Sequence, residues 1–186
     1  MTTKEIADAA NLSAGAYELL REDSTSAAYL DALEKQPLLE DAVSFLTHKM
    51  DTRKGVTWAL ACIRELQDPA LAGQKNPSMD AAENWLKAPA DPARWAANDA
   101  AEKSPRTNPA DLVARGIFFS GGSIVGPQSP PVEPAPFMAQ KFIAGAVRVT
   151  IVSFEPQKSA ERYQRALAIG RQVDSGKPVT PAAPVK

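Results

Sequence analysis

Residues 147–154 read VRVTIVSF, and whether they form a helix or a strand decides the fold class. Valine, threonine and isoleucine dominate the stretch, and their β-branched side chains favour a strand because χ1 is restricted in a helix. The stretch also follows a turn-rich region. A single strand, however, has nowhere to pair within this chain. Ile143, Val147, Ile151 and Phe154 also fall on one helical face. The segment is therefore expected to continue an apolar helix over about 136–152.

Outward from there, the chain reads as helix. Alanine, the best helix former, is abundant, and β-branched residues are sparse before residue 143. Four dipeptides punctuate the middle: Asp68-Pro69, Asn76-Pro77, Asp91-Pro92 and Asn108-Pro109. Asp or Asn caps a helix by accepting from an unpaired first-turn amide, and proline suits the next position. Asp91-Pro92 and Asn108-Pro109 read as helix starts, whereas Asp68-Pro69 reads as a stop.

Periodicity supplies the other elements. Val56, Ala59, Leu60, Ile63 and Leu66 mark an amphipathic helix. Leu39, Ala42, Val43, Leu46 and Met50 mark the one before it, and Ala28, Tyr29 and Leu33 mark another that ends at Pro37. The first twenty residues read as two short helices around Asn11–Ser13, with Thr2 and Glu5 at capping-box spacing. Further helices are expected near 78–88, 91–103, 109–119 and 156–174. The sum is an all-α fold of about ten short helices, packed as antiparallel pairs in a compact, helical-array-like single domain over 1–174. A Pro-rich loop spans 122–136. Residues 175–186, SGKPVTPAAPVK, hold three prolines and are expected to be a disordered tail. No repeat of fixed period is present.

Composition narrows function. The 186 residues suit one domain, and a domain of that size buries roughly 70% of the surface its unfolded chain exposes. With 21 basic and 22 acidic residues the formal charge is −1, without the basic excess of a nucleic-acid binder. The lone cysteine, Cys62, excludes an internal disulfide and a cysteine-based zinc site. The N-terminus lacks the apolar core of a signal peptide. The most apolar stretch, 142–152, carries Arg148 and is too short for a membrane span. A soluble cytoplasmic protein is expected, with neither membrane nor nucleic acid as partner.

Tryptophans stand at 58, 85 and 95, on three successive helices. Met79, Ala82 and Leu86 form one stripe of the 78–88 helix, with Ala81, Trp85 and Ala88 beside it. Ala93, Ala96, Ala97 and Ala100 give the next helix a face of small residues. Small faces let helix axes approach, and large rings fill the gaps. Packing is the first reading of the tryptophans. The second is that Trp95 lies on a partner-binding face, since Asp99 and Glu102 share its side. Arg94 sits where the helix dipole disfavours a cation, so Glu83 or a nearby aspartate is expected to compensate it, with recognition as the other reading. Arg64 and Asp68 are spaced to pair.

The runs DAVSFLTHKM, VTWALACIREL, AAENWLKAPADPARWAANDAAE and IFFSGGS together resemble an uncharacterised family of bacterial all-helical domains of unknown function. That pattern is Trp-Ala, then Ala-Ala-x-x-Trp, then an Arg–Ala-rich helix, then Phe-x-Ser-Gly-Gly-Ser. Matching positions are Trp58, Ala59 and Cys62; Ala82 and Trp85; Arg94, Ala97 and Ala101; and Phe118, Ser120, Gly121, Gly122 and Ser123. The resemblance spans about residues 5–172, with Thr57 standing where an aromatic is expected. It implies the fold, no recognised catalytic role, and a partner that includes a type VI secretion component among its candidates.

Ser120, Gly121, Gly122 and Ser123 offer amides to an anion. Yet specific phosphate loops follow a strand and open a helix, whereas these glycines close one, as a left-handed C-cap requires. Ser120 or Ser123 as nucleophile needs a base in reach. His48, the single histidine, is read on a solvated face with Asp41 and Ser44. Cys62 reads as a small core residue. One histidine excludes a di-iron bundle. The loop PQSPPVEPAP reads first as a stiff connector and second as a segment partner domains recognise. The expected function is a non-enzymatic adaptor that binds another protein, without cofactor or metal. Arg94, Trp95, Asp99 and Glu102 are its candidate face, and an anion site at Ser120–Ser123 is the alternative.

Overall fold

The computed structural model describes residues 1–105 and 108–179. Ten α-helices occur among them: α1 (Thr3–Ala10), α2 (Ala14–Glu18), α3 (Ser26–Lys35), α4 (Leu39–Lys49), α5 (Thr52–Leu66), α6 (Pro77–Lys87), α7 (Asp91–Glu102), α8 (Pro109–Phe118), α9 (Met138–Val152) and α10 (Ser159–Asp174). Short 3-10 turns at Pro69–Leu71 and Pro156–Lys158 join α5 to α6 and α9 to α10. VRVTIVSF is helical through Val152, and Ile143, Val147 and Ile151 are fully buried.

The starts follow from capping chemistry. Thr2 and Glu5 form the capping box of α1. The Asn76 side chain accepts from the Ser78 and Met79 amides, so Asn76-Pro77 is also a start. Asn108 and Asp111 form a second capping box at α8. α7 starts at Asp91-Pro92 as expected, but Asp91 lies inside the first turn, with Ala90 at the cap and no side-chain cap bond. The Asp91 carboxylate turns to Arg94 instead.

α5 and α9 form a spine. On one side lie α4 and α10; on the other lies α8, and behind it α7, with α6 touching α5, α7 and α8. α1 and α3 pack on α4. Compactness therefore comes from the return of α9 and α10 onto α4 and α5. At this junction Trp58 is fully buried, and its indole N–H donates to the Ala166 carbonyl, 2.7 Å away. A buried ring of this size covers roughly 200 Å² of apolar surface, or about 5 kcal/mol. Gly170 admits the ring: a Cβ there would lie 2.8 Å from Trp58 Cε2 and 2.7 Å from Leu46 Cδ2.

Two buried arginines close helix ends. Arg162 on α10 donates to the Ile151 and Thr150 carbonyls near the end of α9 and to the Leu66 carbonyl at the end of α5. Its guanidinium also lies 5.6 Å from the Phe154 ring. A cation complements the negative end of the helix dipole there. Burial lowers its pKa from the ordinary arginine value. Arg94 does the same work for α8, described below.

Several pairings differ from the sequence expectation. The buried residues of α7 are Arg94, Ala97, Asn98 and Ala101, so the inward face is rotated from the predicted alanine stripe, and Ala96 is exposed. On α3 the buried stripe is Tyr29, Leu30 and Leu33, with Ala28 exposed. Arg64 pairs with Glu83 on α6, not with Asp68, whose carboxylate caps the 3-10 turn. Residues 175–179 are placed: Gly176 has φ +71°, the Lys177 amide donates to the Gln172 carbonyl, and Val179 packs against the core. The remainder of the expected tail, 180–186, lies outside the described residues.

Candidate functional site

α7 turns its two faces to different tasks. Arg94 is 4% exposed. Its Nη1 donates to the Phe118 carbonyl (2.6 Å), its Nη2 to the Ser123 carbonyl (2.7 Å), and its Nε to Asp91 Oδ1 (2.9 Å). The guanidinium lies 5.1 Å from the Phe118 ring and 5.4 Å from Trp95. Asp91 is the expected compensating aspartate. Arg94 thus holds the end of α8 and the turn after it, and it lies inside the structure rather than on an outer face.

The Ser120–Ser123 turn is organised around that cation. α8 ends at Phe118 with Phe119, not a glycine, at the cap. The left-handed residue is Gly122, at φ +66°, a conformation that strains residues with a Cβ. A Cβ there would also meet Asp91 Oδ1 at 3.1 Å and Arg94 Nη2 at 3.2 Å. The Ser120 hydroxyl donates back to the Ile117 carbonyl. Ser123 Oγ donates to the Val125 carbonyl and accepts from the Val125 and Val132 amides. With the Ile124 amide bonded to the Val132 carbonyl, this pins the start of the Pro-rich loop beside α7.

Trp95 packs edge-on against Phe118, centroids 5.0 Å apart, and is half-buried. Its outer side lines a groove of about 450 Å³ with Asp91, Pro92, Ser123, Val125, Gly126 and Pro127. One wall is α7 and the other is the pinned loop. Asp99 and Glu102 are exposed further along α7. Glu102 Oε1 accepts from the Asn98 side chain, and neither acid has a cation partner among the described residues. Of the predicted face, Trp95, Asp99 and Glu102 are therefore together on the surface and Arg94 is beneath it. The loop residues Val125 and Pro127 were not foreseen. The Asp-x-x-Arg spacing at 91 and 94 was the available hint that the arginine was tied down.

A larger cleft of about 720 Å³ lies between α5, α6 and the start of α8. Most of its polar lining is already engaged: Asn76 and Asn108 cap helices, Asp68 caps the 3-10 turn, Arg64 meets Glu83, and Thr150 and Ser153 bond carbonyls of their own helix. We therefore place the candidate site at α7.

His48 corrects the solvated-face expectation. It is 5% exposed, covered by α9 and by Phe137, whose ring centroid is 5.8 Å away. Nδ1 bonds the Ser44 carbonyl at 2.8 Å, and Nε2 meets no partner among the described residues. Burial lowers its pKa from the ordinary histidine value, helped by Lys141 and Arg148 and opposed by the Ser44 bond. Asp41 is engaged by the Ser13 amide and hydroxyl. Cys62 is fully buried in α5, and burial, with Glu65 adding, raises its thiol pKa. His48 lines a cavity with Glu40 and Asp41, and Cys62 is not among its lining residues. The Ser120 and Ser123 hydroxyls bond only backbone groups among the described residues. Among the described residues no three His, Cys, Asp or Glu side chains gather as metal ligands. No helix among them is long and apolar enough to cross a membrane.

The fold and this site define a closed all-helical domain that presents an aromatic groove beside a pinned Pro-rich loop. The family described as "Family of unknown function (DUF6931)" matches residues 29–174, and the chain belongs to it. No curated protein and no solved structure matches the chain.

Proposed function

We propose that this domain is a non-enzymatic adaptor, working in the cytoplasm, that holds another protein against the outer face of α7. One observation carries the reading. Trp95 is anchored from below by Phe118 and Arg94, yet leaves its outer side in a groove bordered by Pro92, Val125 and Pro127. Rigid aromatic rings in part-buried settings are the residues that dominate protein interfaces. The exposed acids Asp99 and Glu102 continue the face and add selectivity by charge. A cytoplasmic setting accords with a single, buried, free cysteine.

The anion alternative draws on the Gly121 and Gly122 amides, neither of which meets an acceptor among the described residues. The neighbouring guanidinium, Arg94, is already held by Asp91 and two carbonyls. That leaves the turn without a free cation, so the adaptor reading is preferred.

The test is site-specific photocrosslinking in cells. A photoreactive amino acid at Ala96, exposed beside Trp95, should give a discrete protein adduct. The same group at Ala27, exposed on α3, should not. Trp95→Ala should remove the Ala96 adduct. Equal adducts from both positions, or none from Ala96, would end the proposal.

A further inference from the structure

The chemistry of the groove specifies its occupant. Trp95 carries an indole N–H, a donor with no acceptor among the described residues. Indole N–H groups covered at an interface normally find a partner, so an occupant that covers this one is favoured if it brings a carbonyl or equivalent acceptor. A helix ties its own backbone carbonyls internally. A polyproline-type segment leaves them unpaired, because proline has no N–H and the backbone makes no internal bonds.

Shape agrees with this. Pro92 and Pro127 line the groove together with the Trp95 ring, and Val125 and Gly126 line it as well. Such a short trough between rings suits alternate proline rings of an extended chain, which also lose little entropy on binding. An amphipathic helix needs a longer apolar groove with anchors at helical spacing.

Charge supplies the remaining term. The Asp91 side chain is 64% exposed at one end of the groove, although its Oδ1 meets Arg94. Asp99 and Glu102 lie exposed along the same helix, without cation partners among the described residues. A cationic residue beside the prolines satisfies this rim, and arginine does so with a planar fork and stacking on tryptophan. The Pro-rich loop of a second copy is a poor occupant, since PQSPPVEPAP carries Glu133 and no cation.

We propose that the Trp95 groove takes an extended, proline-containing segment of a partner protein that carries arginine next to its prolines. This rests on the adaptor reading and names the partner's chemistry. The segment's backbone carbonyl accepts from the Trp95 indole, its prolines seat between Pro92 and Pro127, and its arginine meets Asp99 and Glu102.

Three labelled peptides of equal length test it by fluorescence anisotropy with the full chain. One repeats Pro-x-x-Pro and ends in two arginines, one replaces those arginines with glutamates, and one is a basic amphipathic helix. The arginine peptide should bind, and added salt should weaken it. Trp95→Ala should reduce its affinity at least about tenfold. The Asp99→Lys, Glu102→Lys double variant should reverse the preference towards the glutamate peptide. Binding should also move the Trp95 indole N–H resonance downfield. Binding of the helical peptide alone, or of the arginine peptide unchanged by Trp95→Ala, overturns the inference and leaves the adaptor reading standing. Failure of all three peptides while Ala96 still crosslinks in cells does the same. Failure of both experiments removes both.

Discussion

Replacing Arg94 by methionine probes what holds the α7–α8 corner. Methionine keeps most of the aliphatic stem and deletes the guanidinium. Three hydrogen bonds go: to Phe118, to Ser123 and to Asp91. The Asp91 side chain is 64% exposed, so water replaces its partner at little cost. The Phe118 carbonyl contact is buried and the Ser123 contact partly so. An acceptor left unpaired in the interior costs about 1–3 kcal/mol. Two of them, one partly wetted, give a loss of about 3 kcal/mol. With a urea m-value of about 2 kcal/mol/M, the unfolding midpoint should fall by roughly 1.5 M. Arg94→Lys reaches one carbonyl but not both, so its midpoint should lie between the two. Urea titration followed by far-UV circular dichroism reads all three proteins. A methionine variant within about 0.3 M of the parent, at unchanged m, would show that Arg94 does not hold this corner.

Three other outcomes are expected. Gly122→Val should cost about 1–2 kcal/mol for a left-handed β-branched residue, plus the crowding of Arg94, and saturating phosphate should not raise the melting temperature of either protein; a large phosphate-induced rise lost in the variant would restore the anion reading. His48 has a folded pKa below the ordinary value of 6.5, so its neutral form contributes stability above that pH that is lost as pH falls through the folded value; His48→Gln should flatten the fall in unfolding midpoint over that window, and an unchanged pH profile would count against it. Cys62, buried with a raised thiol pKa, should resist an aromatic disulfide reagent in the native state and react as the protein unfolds; prompt native labelling would contradict its packing.

The helices were legible because their signals are local. Asn108-Pro109 states its own cap, and the α5 stripe repeats from Val56 to Leu66. Even VRVTIVSF yielded to the spacing of Ile143, Val147 and Ile151. What escaped depends on neighbours distant in sequence. α4 looked half-solvated, but α1, α3, α9 and α10 all pack on it, and every residue from Ala42 to His48 is buried. Arg94 was expected to meet a nearby acid, as it does at Asp91, but its two carbonyl acceptors lie 24 and 29 residues ahead. Of the candidate face, Trp95, Asp99 and Glu102 followed from helical spacing. The opposite wall of the groove did not, because Ser123 folds the loop back through bonds that no periodicity encodes.

Arg162 lies 96 residues downstream of the Leu66 carbonyl it seals. As the ribosome extrudes the chain, α5 and α9 must wait with unsealed ends until α10 has cleared the exit tunnel. α10 is thus the latch, and a nascent chain stalled before it would leave the carbonyls at the ends of α5 and α9 without this cation.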